Sequence, residues 1–422
     1  MNESEYESEY VSIMDKDHNK LVVIMVGLPA RGKSFISNKI RRYFTWTGYN
    51  TKMFNVGNYR RKFFKNSFND HKFFDSRNDE PRKLREKLAM IVLDELIEWT
   101  SNTSGRTISI FDATNTTKVR RKALVDKLEE KCINYLFLES ICTKKDIIEK
   151  NLQMKLHNDD YKNMDVKSAL DDFRKRLQHY EKIYETIDEE ECVSYMKIID
   201  VQRSFNISKI DTHLKFEVCN FVMNININSG KIYLSRHGQS VDNVKETIGG
   251  NSKLTSNGRQ YSTKLFTHIH NCGDNIDIIF TSTLKRTIET SKPFLKKYKV
   301  ISKKLLDEVD AGICDGMTYK EIELIYPDIT NKRKQDKLNF RYPYGESYRD
   351  IIDRIKHFIL ELERTDDTVL IITHTAVLRC ILGYFIDENS ENIPYMDVPL
   401  HKFFKLTPNR NKYKVDSILL KS

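Results

Sequence analysis

Two short stretches of this chain carry residue types that could move phosphate. Residues 27–34 read Gly27, Leu28, Pro29, Ala30, Arg31, Gly32, Lys33, Ser34. In that eight-residue pattern, glycines let backbone N–H groups wrap phosphates, the lysine neutralises their charge, and the hydroxyl meets Mg²⁺. Far downstream, an apolar run ends in Arg236-His237-Gly238. A neutral imidazole nitrogen attacks a phosphoryl group near pH 7 when cations cover the phosphate oxygens, and Arg236 stands beside His237. The first stretch is built to hold a phosphoryl donor and the second to accept a phosphoryl group.

Each stretch needs partners. Asp112 closes the run "TISIFD" and could hold Mg²⁺ through its water shell, or else cap the helix-like segment that follows. Thr114 lies two residues on. Arg60, Arg85, Arg120 and Arg176, the last with Tyr180, follow successive apolar runs. Singly each reads as a solvated charge, but as a set they could converge on a second anionic group, since the guanidinium fork matches phosphate. In the second half, Arg286 follows "IDIIF", and His374 ends "LIIT" with Arg379 five residues later. A leaving alkoxide needs a proton. Asp307, Glu308 and Asp310 could each supply it, and their spacing does not choose among them.

The elements that must position these groups are legible as apolar runs bounded by turn residues: "LVVIMVG", "TISIFDATN", "INYLFLES" and "YMKIIDV", then "KIYLSRHG", "IDIIFTST" and "DTVLIITHT". Such runs read as strands buried on both faces, and amphipathic helix-length segments separate them. One of these, "PRKLREKLAMIVLDELIEWT", places Leu84, Leu88, Ile91, Val92, Leu96 and Trp99 at helical spacing behind Pro81. Alternation of this kind predicts α/β folds with mostly parallel sheets and ligands at the carboxyl ends of strands. At 422 residues the chain exceeds a usual single core. An Asn-rich stretch closing on Ser229-Gly230 sets the expected boundary, with one domain over 1–228 and another over 229–422.

Composition narrows the setting. Seven scattered cysteines lack metal or disulfide spacing, which points to reduced thiols in a cytoplasmic protein. No apolar run reaches the roughly 18 residues that would span a bilayer, and the first twenty residues are acidic and polar rather than a signal sequence, so no membrane association is expected. The net charge of +10 fits either a Lys-rich surface or an acidic ligand, with nucleic acid and small phosphorylated metabolites as the candidates.

Taken in order, "GLPARGKS", "FNVGNYRR", "FDATNTT", "LESIC" and "DDFRKRLQHYE" resemble the kinase half of the bifunctional 6-phosphofructo-2-kinase/fructose-2,6-bisphosphatase family, over about residues 20–205. From about 229 to 415, "RHGQS", "IGGNSKLTSNGRQY", "TSTLKRTIET", "DEVDAG", "YPYGESY" and "ITHTAVLRC" resemble the histidine phosphatase superfamily, of phosphoglycerate-mutase type, and narrow to the bisphosphatase half of the same family. The resemblance implies that Lys33, Ser34 and the segment through Lys155 hold ATP and Mg²⁺, with Asp112 catalytic and Cys142 near the nucleotide. It implies that Arg60, Arg85, Thr114, Arg120, Arg176 and Tyr180 hold fructose 6-phosphate.

In the second half it implies phosphorylation of His237, proton donation by Glu308, and stabilisation of the transferring group by Arg236, Arg286 and His374. Asn243, Gly249, Tyr319, Arg333, Lys337, Arg341, Tyr348, Thr375 and Arg379 would position fructose 2,6-bisphosphate, with no cofactor required. A homodimer is implied as well. Two positions depart from the family pattern: Gln239 replaces a glutamate and Thr375 a glutamine, so phosphatase turnover and substrate affinity are open. Other readings are a chain with only one working activity, a nucleic-acid end-processing kinase-phosphatase, or a binding protein. The spread of arginines over separate strand ends favours a small sugar phosphate over nucleic acid.

Overall fold

The computed structural model describes residues 18–64, 71–75, 77–156, 160–162, 164–201, 203–226, 230–409 and 412–420. The acidic N-terminal stretch through residue 17 and the expected 228/229 boundary lie outside the described residues. The chain packs as two compact units: residues up to Thr45 with Tyr49–Ile225, and Trp46–Gly48 with the chain from Asn226 onward.

The first unit is built on a six-stranded sheet in the order β2-β3-β1-β4-β5-β6. Its strands are β1 Lys20–Val26, β2 Asn50–Asn55, β3 Thr107–Asp112, β4 Asn134–Ile141, β5 Tyr195–Ile199 and β6 Ser204–Ser208. β1 to β5 pair in parallel, and β6 closes the edge antiparallel to β5. The continuous apolar runs are the central strands: all but one residue of β1 and every residue of β3 is buried, as expected where helices cover both faces. On one face Val22, Ile24, Phe54, Phe111 and Phe137 pack against the helices Asp79–Asn102 and Lys118–Glu130. Val92, Leu93 and Leu96 of the first helix are wholly buried, whereas Ile91, expected on that stripe, faces solvent.

The second unit has the order β12-β11-β7-β10-β8-β9, with β7 Ile232–Arg236, β8 Ile278–Thr281, β9 Lys299–Ser302, β10 Val369–Thr373, β11 Lys402–Asn409 and β12 Lys412–Leu419. β7, β10, β8 and β9 run parallel, and β11 and β12 add antiparallel to the β7 edge. Tyr233, Ile279, Leu370 and Ile372 of this sheet pack against Tyr261, Leu265 and Ile269 of the helix Ser256–Asn271. Among the described residues, no helix is long and apolar enough to cross a membrane.

Candidate active sites at two sets of strand ends

In the first unit the chain leaves β1 into residues 27–32 and enters the helix Lys33–Trp46. Gly27 has φ +132°, and an added Cβ would stand 2.5 Å from the Ser140 carbonyl oxygen on β4. Only glycine fits there. Its N–H donates to the Thr114 carbonyl at 2.9 Å, tying the loop to the end of β3. Ala30 and Gly32 are also left-handed, with φ of +59° and +85°. Asn151 fixes the Ala30 carbonyl at 3.0 Å, and Arg31 donates to the Pro29 carbonyl at 3.3 Å. Leu28 turns away to join a small apolar cluster with Phe73, Phe74, Leu84 and Tyr180.

The Lys33 ammonium folds back over this loop and donates to the Gly27 and Leu28 carbonyls at 2.7 and 2.6 Å. Burial pushes it down to about 7, against the opposing pull of Asp112. Ser34 occupies the next helical position. Asp112, at the end of β3, is buried and accepts a hydrogen bond from the Asn55 amide. It is not a helix cap: Thr117 caps the helix Lys118–Glu130, accepting from the Arg120 N–H. The Asp112 carboxylate is thus not used as a cap, and Ser34 offers a hydroxyl at the start of the helix that follows the loop. That pairing of oxygen ligands suits Mg²⁺. Lys155 ends the helix Lys145–Lys155; burial lowers its pKa, and Asp112 again opposes the shift. The Cys142 thiol is buried after β4, 3.9 Å from the Lys144 carbonyl.

The arginines do converge. Arg60, from the helix Val56–Phe64, pairs with Asp160 at 2.5 Å, and Arg176, from the helix Val166–Glu181, pairs with the same carboxylate oxygen at 3.6 Å. The Arg176 guanidinium lies 3.6 Å above the Phe74 ring. Arg85 donates to the Phe73 carbonyl and sits over the Phe73 and Phe74 rings. Burial lowers the pKa of both Arg60 and Arg85. Tyr180 is buried against Phe74. Arg120 pairs with Glu86 at 2.5 Å. Asp160, the carboxylate that collects Arg60, Arg61 and Arg176, was not foreseen, because it lies in a polar stretch without periodicity.

In the second unit, β7 delivers His237 to the floor of a cavity of about 780 Å³. The His237 Nδ1 lies 2.7 Å from the Gly238 carbonyl. A carbonyl can only accept, so Nδ1 carries the proton and Nε2 keeps a lone pair. Burial, then Arg286, holds its pKa well below 6.5, so the ring stays neutral and nucleophilic. Gly238 is required here, since a Cβ would meet the Gly258 carbonyl at 2.3 Å.

Arg236, Arg286 and Glu308 line the same cavity. Glu308 accepts from the Val309 and Thr375 N–H groups at 3.0 Å and from that of Ala376 at 3.2 Å, so the start of the helix Thr375–Ile386 fixes its carboxylate. The other two acids turn elsewhere: Asp307 holds Thr283, and Asp310 accepts from the Gly312 N–H. His374 lies behind the cavity rather than on its wall, its ring centroid 5.1 Å from that of His237. Its Nδ1 accepts from the Arg286 Nε–H at 3.2 Å, which leaves Nε2–H to donate to the Ser282 hydroxyl at 2.7 Å. That hydrogen bond fixes the orientation of the Arg286 guanidinium.

Asn243, Gly249, Tyr319, Arg333, Lys337, Tyr348, Thr375 and Arg379 line the rest of the cavity. Asn243 also closes a capping box with Ser240. Gly249, with φ +73°, sits where a Cβ would collide with Asp315. Arg379 donates to the Tyr348 hydroxyl at 3.1 Å, and Lys337, pushed down to about 8 by burial, donates to the Pro394 carbonyl. Arg333 stacks over Tyr319 at 5.1 Å. Arg341 differs: it is largely exposed, pairs with Asp350 at 2.8 Å and does not line the cavity. Lys334 does line it, unforeseen in a run of surface-like charges. Gln239 points away from the cavity and accepts from the Thr255 hydroxyl at 2.8 Å.

The comparisons agree with both halves. A family model described as 6-phosphofructo-2-kinase matches residues 8–229, and one described as histidine phosphatase superfamily (branch 1) matches 232–420. The chain is 41% identical to rat 6-phosphofructo-2-kinase/fructose-2,6-bisphosphatase 1 over 412 residues, covering 97% of this chain and 86% of that one. It is 40% identical to the human protein of the same name numbered 3, covering 94% and 76%. Among solved structures, the alpha-ribazole phosphatase from Shigella flexneri aligns with a TM-score of 0.40 at 20% identity, covering 44% of this chain and 94% of that one. With a parallel-sheet phosphate-loop unit followed by a histidine phosphatase unit, this chain belongs to the 6-phosphofructo-2-kinase/fructose-2,6-bisphosphatase family.

Proposed function

We infer that the protein is a bifunctional enzyme. Its first unit transfers the γ-phosphoryl of ATP to the 2-hydroxyl of fructose 6-phosphate, and its second hydrolyses the resulting fructose 2,6-bisphosphate, so that together they set the level of a metabolite governing glycolysis against gluconeogenesis. The observation that carries the reading is His237. Its free Nε2 faces a cavity beside Arg236 and Arg286, on a chain whose other unit holds a phosphate loop.

In the kinase unit, Lys33 and Lys155 supply charge to the transferring phosphoryl, and Ser34 and Asp112 would hold Mg²⁺, which would supply further neutralising charge there. Arg60, Arg85, Arg176, Thr114, Arg120 and Tyr180 hold the sugar phosphate. A loose phosphoryl transition state needs placement and charge more than a strong base. In the phosphatase unit, His237 Nε2 attacks the 2-phosphate while the bond to the sugar oxygen breaks, and Glu308, as the acid, gives that oxygen its proton. Water then attacks the phosphohistidine, its proton returns to Glu308, and phosphate leaves. Arg236 and Arg286 cover the phosphate oxygens throughout, so this step calls for no further cofactor. A cytoplasmic homodimer belongs to the same proposal, and light scattering of the purified protein checks the stoichiometry.

The test measures both activities on one preparation. ATP-dependent formation of fructose 2,6-bisphosphate is expected, and its absence refutes the kinase assignment. Bisphosphate labelled at the 2-phosphate should leave label on His237; a His237→Ala protein with full hydrolysis refutes the phosphatase assignment.

A further inference from the structure

His237 and Gly238 are flanked by Arg236 and Gln239, and one short segment grips both flanks. The Arg236 Nη1 donates to the Val398 carbonyl at 3.0 Å, and the Gln239 N–H donates to the Nε2 of His401 at 3.3 Å. Residues 398–401 immediately precede β11, which pairs with β7 and is thereby fixed to the strand that carries the nucleophile. The His401 ring stacks on Tyr261, centroids 4.7 Å apart and planes 15° apart, and the Tyr261 hydroxyl lies 2.6 Å from that of Ser235 on β7. His401 itself has φ +63°, a conformation a residue with a Cβ adopts at a cost, and one that persists only where the surroundings hold it.

We propose that His401 is a positioning residue for hydrolysis. As a neutral acceptor it fixes the Gln239 amide, and with it the loop bearing His237; protonation of its Nε2 releases that loop. The inference rests on the hydrolytic role of His237.

The contact works in one protonation state only. An imidazole nitrogen that accepts the Gln239 N–H cannot also carry a proton, so charging His401 sets one N–H against another. The charged and titratable groups around the ring are Arg236 from β7, Lys264 and Tyr261 from the helix Ser256–Asn271, and His237 from the loop. Burial, then Arg236 and Lys264, holds His401 below the usual histidine value of 6.5. A lowered value means that the neutral acceptor prevails through the neutral range and is lost as pH falls through the folded pKa.

The test follows transfer of label from 2-labelled fructose 2,6-bisphosphate to His237 in single turnover between pH 5 and 8, with kinase activity of the same preparations as the control for folding. His401→Ala should slow label transfer about tenfold or more at pH 7.5, the scale of a misplaced reacting group, and leave kinase activity unchanged. His401→Gln, whose side-chain oxygen reaches about where Nε2 stands but does not titrate, should restore transfer to within about threefold and lose less rate on acidification than the wild type. Wild-type transfer rates in His401→Ala across the pH range would overturn the proposal, as would a His401→Gln protein as slow as His401→Ala. Failure of the parent reading shows itself differently, as label that never reaches His237 in the wild type.

Discussion

Lys33 should take up a proton when a nucleoside triphosphate enters the loop around it. Burial brings its ammonium down to about 7 from the ordinary 10.5. Lowering the value by about 3.5, at about 1.4 kcal/mol for each factor of ten, means that the loop disfavours the charged form by about 5 kcal/mol relative to water, despite the Gly27 and Leu28 carbonyls and the nearby Asp112. A polyphosphate reverses that preference, because the ammonium then meets a full negative charge in the same dry loop. At pH 8 about nine-tenths of the free protein carries neutral Lys33, so binding should take up close to one proton, and apparent affinity should fall about tenfold for each further unit of pH.

Titration calorimetry at pH 8 with Mg·ATP, in two buffers of different ionisation enthalpy, reads the proton count as a slope, and ATP itself is already ionised at that pH. Tight binding with no proton uptake would refute the argument and mean that Lys33 is charged in the free protein. The sign carries over to stability. Between pH 7 and 10.5 the folded state binds fewer protons at Lys33 than the unfolded chain does, so the empty protein should gain stability as pH rises through that window.

Glu308→Gln keeps one oxygen, which can still accept from the Val309 and Ala376 N–H groups, but it cannot exchange a proton, so hydrolysis should slow by about 10²–10⁴ while kinase activity holds; a smaller loss would move the proton donor elsewhere. Gly27→Ala forces a Cβ within 2.5 Å of the Ser140 carbonyl at φ +132°. The first unit should lose about 2–4 kcal/mol, read by denaturant melts, together with most of its ATP affinity. Arg341→Ala removes an exposed partner of Asp350 outside the cavity, so the KM for the bisphosphate should stay within about twofold and stability within about 1 kcal/mol. A tenfold rise in KM would put Arg341 in contact with substrate.

The strands that carry chemistry were legible because they are the most buried. β1, β3, β4 and β5, and β7, β8 and β10, are the seven continuous apolar runs of the sequence, and both phosphate-handling motifs sit at their carboxyl ends. β2, β6, β9 and β12 were not read because they are the sheet edges, and β11 because its apolar residues are broken by Lys405 and Pro408. β12 has no buried residue, and β6 is exposed at three of its five positions, so neither needs an apolar run. The same limit governs the sites. His237, Arg286 and Glu308 announce themselves by type and place, whereas Asp160 and His401 act through contacts between segments far apart in sequence, and nothing in their local sequence marks them. For Gln239 the chain's departure from the family pattern was visible but its consequence was not. Only the hydrogen bond from Thr255 shows that this side chain faces away from the substrate cavity.

The charge balance ties the two sites together physically. A surplus of ten positive charges could have lain in an open surface stripe, which is what an extended polyanion requires. Part of it is instead withdrawn from water. Lys33, Arg60, Arg85 and Lys155 in the first unit, and Arg236, Arg286 and Lys337 in the second, each have their pKa lowered with burial as the largest cause. A desolvated cation costs free energy until an anion joins it, and the rest of each fold offsets that cost. A phosphate that enters meets donors already stripped of water and aimed by Asp160, by His374 and by backbone carbonyls, so little reorganisation remains when charge moves in the transition state.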